Sequence, residues 1–343
     1  MRRLAALALC GVLLATACSG SEARARGSAD VLRLGVFPTL PHAPAHVGIG
    51  SGIFDRVLAP TTVEVHTFNS GTEAGVALLS GSIDASYMGP WPAISLYLQS
   101  GKVAVVSGVA VGGASFVVRR DAGITTPDDL RGKRIAVPNV GNTQDIALRT
   151  WLGDHGLEAT DEGGDVSITE AEPAQLLQLF RAGRVDGAWV PEPYPTHLGH
   201  ERVADVFVDE AELWPPGGFL TANLVVSTIY LDEHPDVVRR LVQANVDAIR
   251  FAQAQPLRAQ VITQRRLVWA GAPAMDASVI ADAWDMLSFT WEPVPDAMEQ
   301  VAEDARSIGV LEEDPGSVLG IYQLDPLVAV LDDEGLPAVE VPG

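Results

Sequence analysis

Of 343 residues only two are cysteine, Cys10 and Cys18, and both precede residue 19. No disulfide framework can hold the body of the chain, so its stability has to come from a packed core. Hydrophobic residues make up 47% of the sequence, enough for two domains of ordinary size. Long hydrophobic runs are missing as well. The apolar stretch over residues 4–14 is shorter than the roughly 20 residues that a membrane-spanning helix needs, and no later stretch is long and uncharged enough to replace it. Basic residues are scarce: 23 Lys and Arg stand against 44 Asp and Glu, a formal charge of -21. That balance excludes a surface built for nucleic acid or for an anionic membrane. A small anionic ligand stays possible, because helix N-termini act locally and outweigh a diffuse surface charge that salt screens.

The N-terminus carries Arg2 and Arg3, then the apolar run, then the small residues Ala15, Thr16 and Ala17 before Cys18. Charged, hydrophobic and small-residue regions in that order are expected of a secretory signal. The last four residues resemble a bacterial lipobox, with Ala15 where that pattern has leucine. The resemblance implies a signal over residues 1–18, lipidation of Cys18, and an extracytoplasmic protein anchored to the cell membrane. Residues 19–30, rich in serine, glycine and alanine, are expected to be a flexible tether.

From Val31 onward short β-rich runs alternate with helical stretches that end at glycine, the pattern of parallel α/β domains. Strands are expected at 32–37, 83–88, 103–106, 116–118, 134–137, 166–169, 185–190, 203–208 and 223–227. Everything beyond Asp236 has a helical period. Such a tail cannot easily build its own sheet, so it is expected to return to the first lobe. The expected domains are residues 31–112 as the first part of lobe I, 113–222 as lobe II, and 223–343 as the mostly helical return. The chain would cross between lobes near 109–113 and again near 219–227.

Residues 81–88, Gly-Ser-Ile-Asp-Ala-Ser-Tyr-Met, are echoed by 183–190, Gly-Arg-Val-Asp-Gly-Ala-Trp-Val. Each follows a helix, and each empties into a proline-rich loop. Ligands of open α/β sheets sit beyond the carboxyl ends of the strands, so both loops are expected to face one cleft. Four junctions where a strand runs into a helix offer free N–H groups and a positive dipole end: residues 38–43, 69–72, 89–91 and 141–144. Ser70, Thr72, Asn142, Thr143 and Gln144 supply neutral donors there. Trp91 and Tyr194 are candidate walls for an organic tail. Ser70 also reads as a helix cap, Trp91 as core, and Glu192 either as an amine partner or as a carboxylate that holds the lobes by pairing with a nearby base. No arginine sits in these loops. His42 and His46, four apart, with His66 elsewhere, imitate a metal site, but no matching ligands fall in the second lobe's loops; neither a metal nor a cofactor is expected.

These residues resemble the nitrate, sulfonate and taurine family of ABC transporter substrate-binding proteins. The resemblance runs from residues 34–38 and 42–45 through 68–71, 89–93 and 112–115, then 130–138, 141–145 and 191–194. It implies an α/β, two-lobed periplasmic-binding-protein type II fold: two doubly wound lobes joined by two hinge crossings. The implied function is capture of a small oxyanion-bearing solute, an aliphatic sulfonate, taurine or nitrate, between lobes that close on it. A membrane permease and its ATPase are the implied partners, and a monomer is the simplest shuttle. The implied ligand-binding set is Pro38, Thr39, His42, Asn69, Ser70, Gly71, Thr72, Gly89, Pro90, Trp91, Gly113, Ala114, Ser115, Gly141, Asn142, Thr143, Gln144, Glu192 and Tyr194. A pyrimidine precursor of thiamine is the alternative ligand. An enzyme on this fold is the further alternative, for which the sequence holds no Gly-x-Ser-x-Gly elbow and no P-loop.

Overall fold

In β1 (Val31–Val36) Leu32, Leu34 and Val36 are fully buried while Arg33 is half-buried, the period-two pattern of a strand with one face on a core. A computed structural model describes residues 28–311 and 316–342. The expected signal, Cys18 and residues 19–27 of the tether lie outside the described residues. Among the described residues no helix is long and apolar enough to cross a membrane.

After β1 come α1 (Ala43–Gly50), α2 (Ile53–Leu58), β2 (Thr62–Thr67), α3 (Gly71–Leu79), β3 (Ala85–Met88), α4 (Pro90–Ser100) and β4 (Val103–Gly112). The second lobe holds β5 (Ala114–Arg119), β6 (Arg134–Val137), α5 (Thr143–Asp154), β7 (Ser167–Glu170), α6 (Leu176–Arg181), β8 (Gly187–Pro191), α7 (Tyr194–His200) and β9 (Ala204–Asp209). The chain then returns through β10 (Leu220–Ser227), α8 (Thr228–Glu233), α9 (Pro235–Ala254), α10 (Pro256–Trp269), α11 (Ala277–Trp284), β11 (Leu287–Phe289), α12 (Pro295–Ser307) and α13 (Asp325–Glu334).

The first sheet has the order β11-β4-β10-β3-β1-β2 and the second β7-β6-β8-β5-β9. In each, three parallel strands are followed by one antiparallel strand: β10 between β3 and β4, and β5 between β8 and β9. Each inserted strand is the first one laid down after the chain has crossed from the other lobe. β2 and β11 are absent from the expected strands. β2 is an edge strand whose Val63 and Val65 are only half-buried, and β11 is three residues long on the opposite edge, so neither carries a strong period.

The two crossings lie side by side. Gly112 and Gly113 both have left-handed φ, 80° and 77°, which glycine adopts without steric cost. The Gly112 N–H donates to the Phe219 carbonyl at 2.8 Å, and the Thr221 hydroxyl donates to the Gly112 carbonyl at 2.8 Å. β10 begins at Leu220 and belongs to the first sheet, so the second crossing precedes residue 220.

The return locks onto lobe I through α9, whose Val238, Leu241, Val242, Ala248 and Ile249 are fully buried along one helical stripe. Each such valine, leucine or isoleucine contributes roughly 1.5–3 kcal/mol. Asn245, on the same face, accepts from the Tyr87 hydroxyl of β3 at 2.9 Å and donates to Ser107 of β4 at 3.1 Å. Pro256 ends α9, because it cannot donate to the preceding turn, and opens α10 at the position where a missing N–H costs nothing.

Candidate functional site

Six parallel strands, three per sheet, direct their carboxyl ends into the gap between the lobes, and loops from all six line one cavity of about 250 Å³. β1 is followed there by Phe37, Pro38, Thr39, Pro41 and His42, β2 by Asn69, Ser70 and Gly71, and β3 by Gly89 and Pro92. From lobe II, β6 leads to Pro138, Asn142, Thr143 and Gln144, β7 to Glu172, Pro173 and Ala174, and β8 to Pro191 and Tyr194. Thr221 and, after α10, Ala270 and Gly271 complete the lining. The volume is below the about 300–1,000 Å³ of pockets for drug-sized ligands, and so suits a small solute.

Hydrogen bonds join the two rims. Leu40 N–H donates to the Glu192 carbonyl at 2.8 Å, the Tyr194 hydroxyl to the Pro38 carbonyl at 3.0 Å, and the Thr72 hydroxyl to Asn139 Oδ1 at 3.0 Å. The lobes are therefore closed on each other.

α3 and α5 begin in the same way. Ser70 Oγ accepts from Glu73 N–H at 3.2 Å, and the Glu73 carboxylate accepts from Asn69 N–H at 3.4 Å. Asn142 Oδ1 accepts from Asp145 N–H at 2.9 Å, and the Asp145 carboxylate accepts from Gly141 N–H at 2.8 Å. These caps leave the N–H groups of Gly71 and Thr72, and of Thr143 and Gln144, without a partner inside their helices. α4 offers less, since Pro90 and Pro92 remove two N–H groups from its first turn.

Thr143 is 7% exposed, and its hydroxyl has no partner among the described residues. It points across the cleft at Gly89, where a Cβ would come within 2.6 Å of Thr143 Oγ1, so only glycine leaves that space open. A buried hydroxyl without a partner is costly and is the kind of group a ligand satisfies.

His42 and His46 serve the backbone. His42 Nδ1 accepts from Phe37 N–H at 3.1 Å and His46 Nε2 bonds the Phe37 carbonyl at 2.8 Å, so the pair holds both backbone polar groups of the residue just after β1. The His42 proton must then sit on Nε2. Burial, followed by the neighbouring His46, pushes His42 down to about 3, and burial pushes His46 down to about 4. Both rings are neutral, and among the described residues no cluster of three or more His, Cys, Asp or Glu is placed to hold a metal.

The structure thus brings Pro38, Thr39, His42, Asn69, Ser70, Gly71, Gly89, Asn142, Thr143, Gln144 and Tyr194 to the cavity wall. The remaining expected residues lie elsewhere. Trp91 is 3% exposed and packed in the lobe I core, and Pro90 is the first residue of α4 beside it. Thr72 spends its hydroxyl on Asn139, and Gly141 its N–H on Asp145. Gly113 is at the crossing, while Ala114 and Ser115 are paired inside the second sheet. The Glu192 carboxylate turns away from the cavity and accepts from Thr196 Oγ1 at 2.9 Å and Thr196 N–H at 3.3 Å. Burial pushes it up to about 8 against those two bonds. It holds the first turn of α7 and forms no ion pair among the described residues, so the expected pairing with a base that holds the lobes is not the contact seen.

Sequence reasoning did not name the loop after β7, nor Pro92. The strand-end rule applied to every parallel strand would have reached the first. The echo would have reached the second, because its register places Pro92 opposite Tyr194. Ala270 and Gly271 come from a helix distant in sequence and leave no local signal. Among the described residues that line the cavity there is no lysine or arginine, and the carboxylate that faces it is Glu172.

The geometry has counterparts. The nitrate-binding protein NrtA of Synechocystis superposes with a TM-score of 0.78 at 16% identity, covering 92% of this chain and 91% of that one. The alkanesulfonate-binding protein SsuA of Xanthomonas axonopodis gives 0.72 at 18% identity, covering 86% and 98%. Both show that the fold is that of the periplasmic binding proteins. In sequence, the taurine-binding periplasmic protein of Escherichia coli is 28% identical over 213 residues, 62% of this chain and 64% of that protein. The chain spans about three fifths of the length of the curated relatives it matches, 61% for binding proteins of Brucella. Residues 27–265 match the model of the NMT1-like family, well over half of the chain, and the chain belongs to that family.

Proposed function

We propose that this chain is the extracytoplasmic solute-binding component of an ABC importer. It captures a small solute bearing an oxyanion in the inter-lobe cavity and hands it to a membrane permease driven by an ATPase. The observation that carries this reading is the N-terminus of α5: two N–H groups without a helical partner, a buried and unpartnered Thr143 hydroxyl, and the positive end of a twelve-residue helix, all on the wall of one closed cavity. A neutral donor set of this kind neutralises an anion without a lysine or arginine. The names of the relatives support the same class of ligand. Closure about the paired crossings supplies the two states that a permease distinguishes. The N-terminal sequence supports export and anchoring through Cys18, and a monomer suffices for the task. The cavity is a binding site, and no bond of the solute changes in it.

The test is calorimetry on a soluble form lacking residues 1–27, with nitrate, bicarbonate, ethanesulfonate, taurine and pyrimidine precursors of thiamine as probes. At least one of the four oxyanions is expected to bind, and at 100 times its Kd to raise stability by about 2.7 kcal/mol. Thr143→Val should lower that affinity about tenfold, the loss of one hydrogen bond to a charged group, with no loss of stability in the free protein. Binding of a pyrimidine alone overturns the reading.

A further inference from the structure

The two helix N-termini that face the cavity differ in what already sits on them. At α3 the positive end is met by two carboxylates. Glu73 accepts from the Asn69 N–H, and Glu172, which comes from the other lobe, accepts from the Asn69 side-chain amide at 3.4 Å and from Gln175 at 3.1 Å. Neither carboxylate forms an ion pair among the described residues. At α5 the matching acid, Asp145, is joined to Arg149 at 3.0 Å, and that arginine, 6% exposed in its side chain, also holds Asp161 at 2.9 Å and Glu162 at 2.5 Å. Asp145 shares a buried cation, which Glu73 and Glu172 do not, so the α5 end, with its unpartnered Thr143 hydroxyl, is the less negative of the two. The two walls of the cavity therefore differ in charge, and the carboxylate that lines it, Glu172, stands on the more negative one.

A carboxylate oxygen accepts two hydrogen bonds, and each oxygen of Glu172 receives one from the protein. The spare acceptor capacity belongs to a residue on the cavity wall. Glu172 is exposed to water as well as to the cavity, and a ligand held against it either offers it a donor or sets one negative charge against another across a partly screened distance. We infer that the solute carries a hydrogen-bond donor of its own besides its oxyanion, an ammonium, a hydroxyl or an acidic proton, with the oxyanion at the start of α5 and the donor at Glu172. This rests on the oxyanion reading above. Glu172 then selects by repulsion as well as by attraction: nitrate, sulfate and plain alkanesulfonates have acceptors only and are turned away.

The experiment uses two pairs of probes alike in size, taurine against ethanesulfonate and bicarbonate against nitrate, titrated into the wild-type protein and Glu172→Gln. In the pair that binds, the wild type should prefer the donor-bearing member by about tenfold or more, and Glu172→Gln should reduce that ratio to within about threefold, partly by strengthening the donor-free member. An unchanged melting temperature of the free variant shows that its fold is intact. A wild type that binds ethanesulfonate or nitrate as tightly as its partner probe overturns the inference and leaves the oxyanion reading standing, as does a ratio unmoved by the substitution. Thr143→Val separates the two claims, since it should weaken both members of a pair alike. If none of the four compounds binds, both claims fall.

Discussion

Residues 81–92 and 183–194 run through equivalent parts of the two lobes, and their two ends behave differently. At the start of each strand the match is close to atomic. In lobe I the Asp84 carboxylate accepts from Arg33 N–H at 2.8 Å and Nε at 3.0 Å, while Arg33 Nη1 reaches the Gly81 carbonyl at 2.6 Å. In lobe II Asp186 accepts from Arg134 N–H at 3.0 Å and Nε at 3.2 Å, and Arg134 Nη2 reaches the Gly183 carbonyl at 2.7 Å. Each clamp ties the start of one parallel strand, β1 or β6, to the end of a helix and the start of its neighbour in the sheet, β3 or β8, at the end of the strands away from the cleft. Further along, Tyr87 and Trp189 are both buried and both hydrogen-bonded, to Asn245 and Glu210. Beyond the strands the register still holds, since Gly89 and Pro191, then Pro92 and Tyr194, line the cavity. The chemistry no longer does: glycine faces proline, and proline faces a tyrosine that bonds across the lobes. Scaffold is shared at one end of the unit, and the ligand-facing end has diverged.

The largest way to break this comparison is at Trp91. It occupies the register position of Pro193, one residue short of the cavity, and it is buried in lobe I. Trp91→Ala should cost about 3–5 kcal/mol of stability and move the urea midpoint accordingly. Tyr194→Phe, at the cavity position, should cost only about 1 kcal/mol and act mainly by loosening the closed form. Equal losses of stability from the two substitutions would mean that the register does not separate core from cleft.

The two clamps differ in burial, which sets the next effect. The side chains of Arg33 and Asp84 are 22% and 3% exposed. Asp186 also holds Arg119, at 3.0 Å, but the side chain of Arg134 is 45% exposed. Asp84→Ala leaves a poorly solvated guanidinium without its partner and should cost about 3 kcal/mol. Asp186→Ala should cost about 1–2 kcal/mol, because water reaches Arg134. Denaturant unfolding of both variants compares them directly, and a larger loss from Asp186→Ala would show that the second arginine outweighs exposure.

The scaffold was legible in the sequence because it is local. Glycine after a helix, aspartate three residues on and a four-residue strand of small and apolar residues can be read within eight residues, and they recur. The helix starts within 69–72 and 141–144 were legible for the same reason, the first of them through the cap at Ser70. Trp91 was harder, since a large aromatic between two prolines suits a cleft wall or a core equally until its direction at the start of α4 is known. Glu172 was hidden because it lies just past the expected strand 166–169, at a strand end that was not among the four junctions with a helix-start pattern. Ala270 and Gly271 reach the site only because α10 folds back on α1, a contact that no local pattern announces.

The smallest of these effects separates the loops themselves. Pro90 of lobe I stands opposite Glu192 of lobe II, so one loop holds a buried ionisable group where the other has none. Burial raises Glu192 to about 8, well above the roughly 4.3 of an unperturbed glutamate. Between those values the unfolded chain has already released a proton that the folded chain keeps. The contribution of Glu192 to stability is therefore full below about pH 4.3 and is lost as pH rises through 8. Glu210, raised to about 8 by the same cause, acts with the same sign. His42 and His46 act with the opposite sign: their lowered values give stability that is present above about pH 6.5 and lost on acidification, so they are silent between pH 7 and 9. In that window Glu192→Gln keeps a group of the same shape against Thr196 and removes one titration. The wild type should lose roughly 1 kcal/mol more than the variant between pH 7 and 9, read from urea midpoints at the two pH values. Parallel losses would mean that the Glu192 carboxylate is already ionised at pH 7, and the difference between the two loops would then be one of shape alone.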